Sequence, residues 1–303
     1  MGVRSLGNTL ASFGYKFGRT GLEASGAAGG SSFSATGGNQ TSSSGFTAPN
    51  GFKYHVFTSS GSLVVESGTA EAYYLVVAGG GSGGSGNGSG GGAGGLRSND
   101  PTVPGPSSMK VTHTFTLSPG TYPVTVGNGG DSPESNGSES KIGTSTVVAS
   151  GGGWGGDNKA GNPGGSGGGG TSGTASSTNS PDPLSPNKQG NAGGNDGNGG
   201  GGGGAGSAAD PSTGSGAYGG NKLNISAYNT TEINPGITMP AAWQSYVGTA
   251  GGYAGGGYGY DDNPNSHNQG AGSQDAGIAN TGGGGDEGSP SPGGKGIVII
   301  RYQ

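Results

Sequence analysis

The side chains that could do chemistry in this chain are few and stand far apart. His55, His113 and His267 are its three histidines. A Ser-His-Asp relay or a zinc centre needs its imidazoles held against a nucleophile, an acid or further ligands. Here His55 and His113 fall inside strand-like sequence, where ordinary sheet positions explain them. There is no cysteine, which removes thiol catalysis, thiolate metal sites and disulfides together. Gly79, Gly81 and Gly84 spell G-x-G-x-x-G after an apolar run, but no helical pattern follows to carry a pyrophosphate. Lys295 in GGKG is followed by Gly296 where a P-loop has Ser or Thr, and Ser289 occupies the place of that loop's first glycine. The oxygen-rich stretches GGNDGNGG (Gly193–Gly200) and YDDNPN (Tyr260–Asn265) match neither an EF-hand loop nor a tandem calcium repeat, and turn chemistry accounts for both. The expectation is a protein that is not an enzyme, with no catalytic residue, no metal and no cofactor.

One segment has the composition of a recognition surface. Between Ala217 and Tyr260, the rings of Tyr218, Tyr228, Trp243, Tyr246, Tyr253, Tyr258 and Tyr260 are interleaved with Asn, Ser, Thr and Gly. Rigid amphipathic aromatics among small polar residues are what paratopes and sugar-stacking surfaces use, so these seven are the receptor-binding candidates. The alternative is that they pack against the glycine-rich sequence and supply the apolar mass it lacks. The proline-bearing stretches Ser98–Ser108 and Thr174–Gln189 carry the same two readings.

Composition dictates what must position these residues. The 303-residue chain holds 80 Gly and 17 Pro, is 27% hydrophobic and 10% charged, and has a formal net charge of −5. Its 12 Lys and Arg are scattered, so no surface for tracking phosphates is visible and nucleic acid is not an expected partner. The longest apolar runs, such as Ile297–Ile300, are too short to span a bilayer. The residues organise into three parts. Residues 1–50 hold Leu6, Leu10, Phe13 and Phe17 at helical spacing beside Arg4 and Arg19, which predicts an amphipathic docking segment, followed by a Ser, Gly and Thr linker from Ser25 to Asn50.

Residues 51–150 contain KYHVFT, SLVVES, AYYLVVA, KVTHTFTL, TYPVTVG and TSTVVAS, short β-branched and aromatic runs that predict antiparallel strands. Ser59–Gly61 and Ser118–Gly120 read as hairpin turns between them. Residues 151–303 are glycine runs separated by polar turns, ending in the strand-like GIVIIRY (Gly296–Tyr302), which is expected beside Tyr73–Ala78. The fold class is all-β: a small antiparallel β-sandwich closed by the C-terminal strand, with the glycine-rich sequence inserted.

Ordering glycine costs about 1–2 kcal/mol of backbone entropy per residue, and no side chain is buried in return. The compensation must come from the backbone donors and acceptors. A polyglycine II lattice provides it, because a three-residue-per-turn helix without internal hydrogen bonds turns every N–H and C=O outward to neighbours that only glycine allows so close. Each bond contributes roughly 0.5–1.5 kcal/mol net.

YLVVAGGG (Tyr74–Gly81), LSPGTYPVTVGNGG (Leu117–Gly130), TVVASGGGWGG (Thr146–Gly156) and GGKGIVIIRY (Gly293–Tyr302) occur in this order. In them the sequence resembles the glycine-rich domain of bacteriophage tail-fibre and adhesin proteins, over about Lys53–Tyr302. Ser5–Ala24 is more weakly similar to the start of marine-phage virion structural proteins. The resemblance implies a virion protein on the phage tail surface. It would join other tail or adaptor proteins through its N-terminus, assemble as a homotrimer, and attach to a host surface polysaccharide or outer-membrane protein. A virion decoration or spacer protein without a host ligand is the alternative, and an ice-binding or matrix glycine-rich protein a remoter one.

Overall fold

The computed structural model describes residues 32–85, 88–104, 109–131, 133–144, 146–171, 188–210, 217–259, 276–288 and 291–303. The docking residues Arg4, Leu6, Leu10, Phe13, Phe17 and Arg19 lie outside the described residues, as do Tyr260 and His267. In chain order the strands are β1 (Ser34–Thr36), β2 (Phe46–Thr47), β3 (Lys53–Phe57), β4 (Gly61–Ser67), β5 (Ala70–Val77), β6 (Leu96–Ser98), β7 (Phe115–Leu117), β8 (Gly120–Thr125), β9 (Ser140–Ile142), β10 (Val147–Ala149), β11 (Leu223–Asn224), β12 (Gly252–Tyr253) and β13 (Ile297–Tyr302). One sheet has the order β1-β4-β8-β9-β10. A second has β2-β3-β13-β5-β6, with β7 also on β5, and β11 pairs with β12.

The second sheet is apolar on both faces, which is why its strands read as unbroken hydrophobic runs. Along β13, Val298, Ile300 and Tyr302 enter the core shared with the first sheet, while Ile297 and Ile299 enter a second core on the opposite side. Tyr74 and Val76 against Leu75 and Val77 do the same along β5. β4 alternates instead, with Leu63 and Val65 buried and Val64 out. The C-terminal strand lies where the sequence predicts: β13 pairs antiparallel with β5, Ile300 opposite Tyr74, and its other edge pairs with β3, Ile300 opposite His55.

Two expectations are corrected. Ser59–Gly61 and Ser118–Gly120 are not hairpin turns, because β3 and β7 belong to the second sheet while β4 and β8 belong to the first. Each turn carries the chain across the sandwich, as burying both strands requires. Nor is Ser25–Asn50 wholly linker, since it contains β1 and β2. Gln40 there donates to the carbonyls of Gly37 (2.6 Å) and Ser42 (2.9 Å) and accepts from Val56 N–H (3.0 Å), so a side-chain amide completes the backbone pairing at the end of β3. Gly37, at φ +130°, belongs to this turn.

The glycine runs form the predicted lattice. Gly79 and Ser82 donate to the carbonyls of Ser138 and Ser135 (both 3.0 Å), Gly80 and Gly83 to Gly294 and Ser291 (both 2.9 Å), and Gly81 and Gly84 to Gly92 and Ser89 (both 2.9 Å). Successive residues thus address three different neighbours and every third residue returns to the same one, which is the signature of a three-residue-per-turn rod. Other rods pair in parallel: Gly90 and Ala93 donate to Gly200 and Gly203 (both 2.9 Å). One end of the lattice meets the sheets, where β5 runs into Gly79, β10 into Gly151 and Gly296 into β13. Following the register outward, the rod ends at Ser85, Asp131, Asp157, Asn195 and Gly288 gather at the opposite end.

Candidate functional site

The aromatic segment folds into a cap over the second core and presents no open paratope. Tyr228, Trp243 and Tyr253 have no exposure and Tyr258 has 1%. Tyr246 is half-buried, its hydroxyl accepting from Gly255 N–H (2.9 Å), and burial raises that hydroxyl's pKa. Only Tyr218, at 38%, is exposed among the candidates described. The cap consists of β11, a 3-10 turn (Ser226–Tyr228), α1 (Thr230–Ile233), α2 (Ala241–Val247) and β12. Asn229 caps α1 by accepting from Glu232 N–H (3.0 Å), and α2 turns Trp243 and Val247, one helical repeat apart, into the core. Even the polar handle of Trp243 is spent, its N–H donating to the Asn280 carbonyl (3.0 Å). The reason is elementary: Val56, Leu75, Val77, Ile297 and Ile299 on this face of the sheet need apolar cover that glycine cannot supply.

Beneath the cap lies a buried ion pair, between β13 and the stretch after β6, that sequence reasoning missed. Arg301 Nε donates to Asp100 Oδ2 (2.7 Å), with the two side chains 5% and 0% exposed. Its guanidinium carbon lies 4.1 Å from the Phe52 ring centroid, 5.2 Å from Tyr73 and 5.7 Å from Tyr228. Burial works against this charge, but Tyr228 and Asp100 raise the pKa above its ordinary value. Tyr54 continues the network, accepting from Asn50 Nδ2 (2.7 Å) and donating to the Ala227 carbonyl (2.7 Å).

His55 does structural work. His55 is fully buried between the Gly37 carbonyl (2.8 Å from Nδ1) and the Tyr302 hydroxyl (3.1 Å from Nε2). A carbonyl can only accept, so Nδ1 carries the proton and Nε2 accepts from Tyr302. Burial lowers the His55 pKa below its ordinary 6.5. The unfolded chain therefore binds a proton that the folded chain resists, so stability is complete above pH 6.5 and falls as pH drops below it. A series of urea melts should show this acid-side loss in the wild type and flatten it in His55→Gln; equal slopes would remove His55 as its cause. His113 is not in a strand but two residues before β7, at a groove of about 300 Å³ that also presents Glu71, Tyr73, Asn99 and Lys110. Asn99 is occupied there, accepting from Tyr74 N–H (2.9 Å) and donating to the Ala72 carbonyl (3.0 Å). Asp196 of GGNDGNGG accepts from Asn198 N–H (3.3 Å), a turn contact, and the G-x-G-x-x-G glycines open a lattice rod with no helix after it.

A half-buried ring remains on the lattice flank. Trp154 belongs to neither core, and its backbone N–H donates to Asn136 Oδ1 (3.1 Å). Asn162 Nδ2 donates to the same oxygen (2.9 Å), and Lys159 sits over the ring (4.9 Å to its centroid) while paired with Glu134 (2.9 Å). The motif that contains it, GGGWGG, shows a lone large ring between glycines, and that was the available signal.

The lattice register and the sheet that receives β13 cover most of the sequence, and the model of the glycine-rich domain matches residues 57–303. The chain belongs to the glycine-rich domain family. The match begins at Phe57, the last residue of β3, and takes in β4 to β13 with the lattice and the cap. No curated protein matches the chain. Among the described residues, no helix is long and apolar enough to cross a membrane.

Proposed function

We propose that this glycine-rich domain protein is a virion structural component on the phage tail surface, a tail fibre or adhesin that attaches the particle to its host. The observation that carries the reading is the lattice register, which puts the sheets and the buried ion pair at one end and brings the polar rod ends together at the other. A lattice of hydrogen-bonded rods suits the presentation of surface groups. The four motifs shared with phage tail-fibre and adhesin domains support the same reading. The ligand would be a surface polysaccharide or an outer-membrane protein. Immunogold labelling of particles, combined with competition of adsorption by the purified chain, tests it: label at the tail tip and slowed adsorption are expected. Label spread over the capsid with no competition would sink the attachment reading and favour decoration.

Assembly is part of the proposal. Deleting residues 1–24 is expected to leave the thermal midpoint of the glycine-rich domain unchanged but abolish incorporation into particles, and normal incorporation would remove the docking role. The described surface exposes Val64 and Tyr218 as its large hydrophobics, so a homotrimer would be held by polar contacts or by residues 1–31. Light scattering of the full chain is expected to give three copies, and a stable monomer counts against it.

A further inference from the structure

We infer that Trp154 is the platform of a saccharide site on the lattice flank, taking one neutral pyranose unit of a surface polysaccharide. The ring stands among backbone and polar groups. Trp154 is flanked in its rod by Gly153 and Gly155 and belongs to neither apolar core among the described residues, so a lipid chain or a hydrophobic peptide side chain would find no such core beside it. A sugar ring is the ligand whose one apolar C–H face and hydroxylated rim match a single aromatic surrounded by polar atoms. The rim partners are in place. Asn136 uses its oxygen on Trp154 N–H and on Asn162, which leaves its Nδ2 and the Asn162 Oδ1 without a partner among the described residues. These two unspent groups offer one donor and one acceptor to adjacent hydroxyls. The Lys159–Glu134 pair, with side chains 51% and 34% exposed, sets its ammonium over one face of the ring and offers a second donor and acceptor there.

The backbone around the ring is held in an unfavourable conformation. Glu134, at φ 62°, and Asn158, at φ 51°, are two of the four non-glycine residues with positive φ among those described. Asparagine adopts that region readily, whereas glutamate does so at a cost, and here the glutamate conformation brings a carboxylate onto Lys159 beside the indole. Such strain is kept where surrounding structure imposes it, often at ligand sites. The net charge of −5 disfavours a polyanion, so a neutral sugar is the class.

The proposal deepens the attachment reading and rests on it only for its biological setting. The test uses the purified full chain on an array of neutral bacterial O-polysaccharides and oligomers of glucose, galactose and N-acetylglucosamine. Binding to at least one is expected, with Trp154→Ala weaker by about tenfold or more, Trp154→Phe between the two, and thermal midpoints unchanged. A second measurement does not depend on folding of a variant. The chain has two tryptophans and Trp243 is fully buried, so acrylamide quenching reads Trp154, and the bound saccharide should protect it. No binding on the array, equal binding by Trp154→Ala, or no protection from quenching overturns the site. If Trp154→Ala still competes for adsorption as well as wild type, the site falls while attachment stands; if the sugar binds as expected but particles lack the chain, the site stands and the virion reading falls.

Discussion

Gly202→Ala is expected to lower the thermal midpoint by roughly 5–10 °C, while Gly197→Ala leaves it unchanged or slightly raised. Gly202 lies in mid-rod, donating to the Gly257 carbonyl (2.9 Å) and accepting from Gly220 N–H (2.8 Å). A Cβ there would stand 1.9 Å from the Gly91 carbonyl oxygen and 2.4 Å from its carbon. Both atoms are backbone, so no rotamer change relieves the collision and a rod must move, loosening its own hydrogen bonds. Overpacking of this kind costs about 1–3 kcal/mol or more, and about 2–4 °C accompanies each kcal/mol in a large domain. Gly197 is exposed in the turn after Asp196 and a Cβ there meets nothing within 4 Å. Alanine at such a site restricts the unfolded chain and stabilises by about 0.4–1 kcal/mol. Gly37 would be the wrong control, because its φ is +130° and a Cβ would meet the Ser62 carbonyl at 2.2 Å. Equal midpoints for Gly202→Ala and wild type would mean that the runs are not packed against one another in solution.

What was legible in the sequence follows from which interactions are local. The unbroken apolar runs at Tyr74–Val77 and Ile297–Ile300 announced buried strands, and their likeness placed them side by side although more than two hundred residues intervene. The lattice was legible for a similar reason, since backbone pairing is the only compensation that glycine has. The sheet crossings were not: a turn such as Ser59–Gly61 looks the same whether it joins two strands of one sheet or two sheets, and only the partner of β4 decides. The aromatic cap was left between two readings because Tyr and Trp between Asn and Ser suit a paratope and a core equally well. Its helices did leave a signal, with Asn229 and Glu232 at capping spacing and Gly248 after Val247. Nothing local pointed from Asp100 to Arg301, which are brought together by the pairing of β13 with β5 and of β5 with β6.

Breaking that ion pair from one side should be the most damaging single change outside the lattice. Asp100→Ala would leave the Arg301 guanidinium in the core with three ring faces and one contact to the Tyr54 hydroxyl at 3.4 Å. Asp100 also accepts from Thr102 N–H (2.8 Å) and its hydroxyl (2.6 Å), so the turn that carries it would loosen as well. Removing one partner of a buried pair costs about 3–5 kcal/mol, mostly because the remaining charge has lost its compensation, and the thermal midpoint is expected to fall by about 10 °C or more. Replacing both charges removes the uncompensated group. Asp100→Ala with Arg301→Met is therefore expected to recover much of the loss, the methionine filling the space between Phe52, Tyr73 and Tyr228. Denaturant melts of the two single variants and the double variant complete a thermodynamic cycle. A double variant as unstable as the sum of the singles would show that the two groups act independently, and that β13 is held in place by its apolar faces alone.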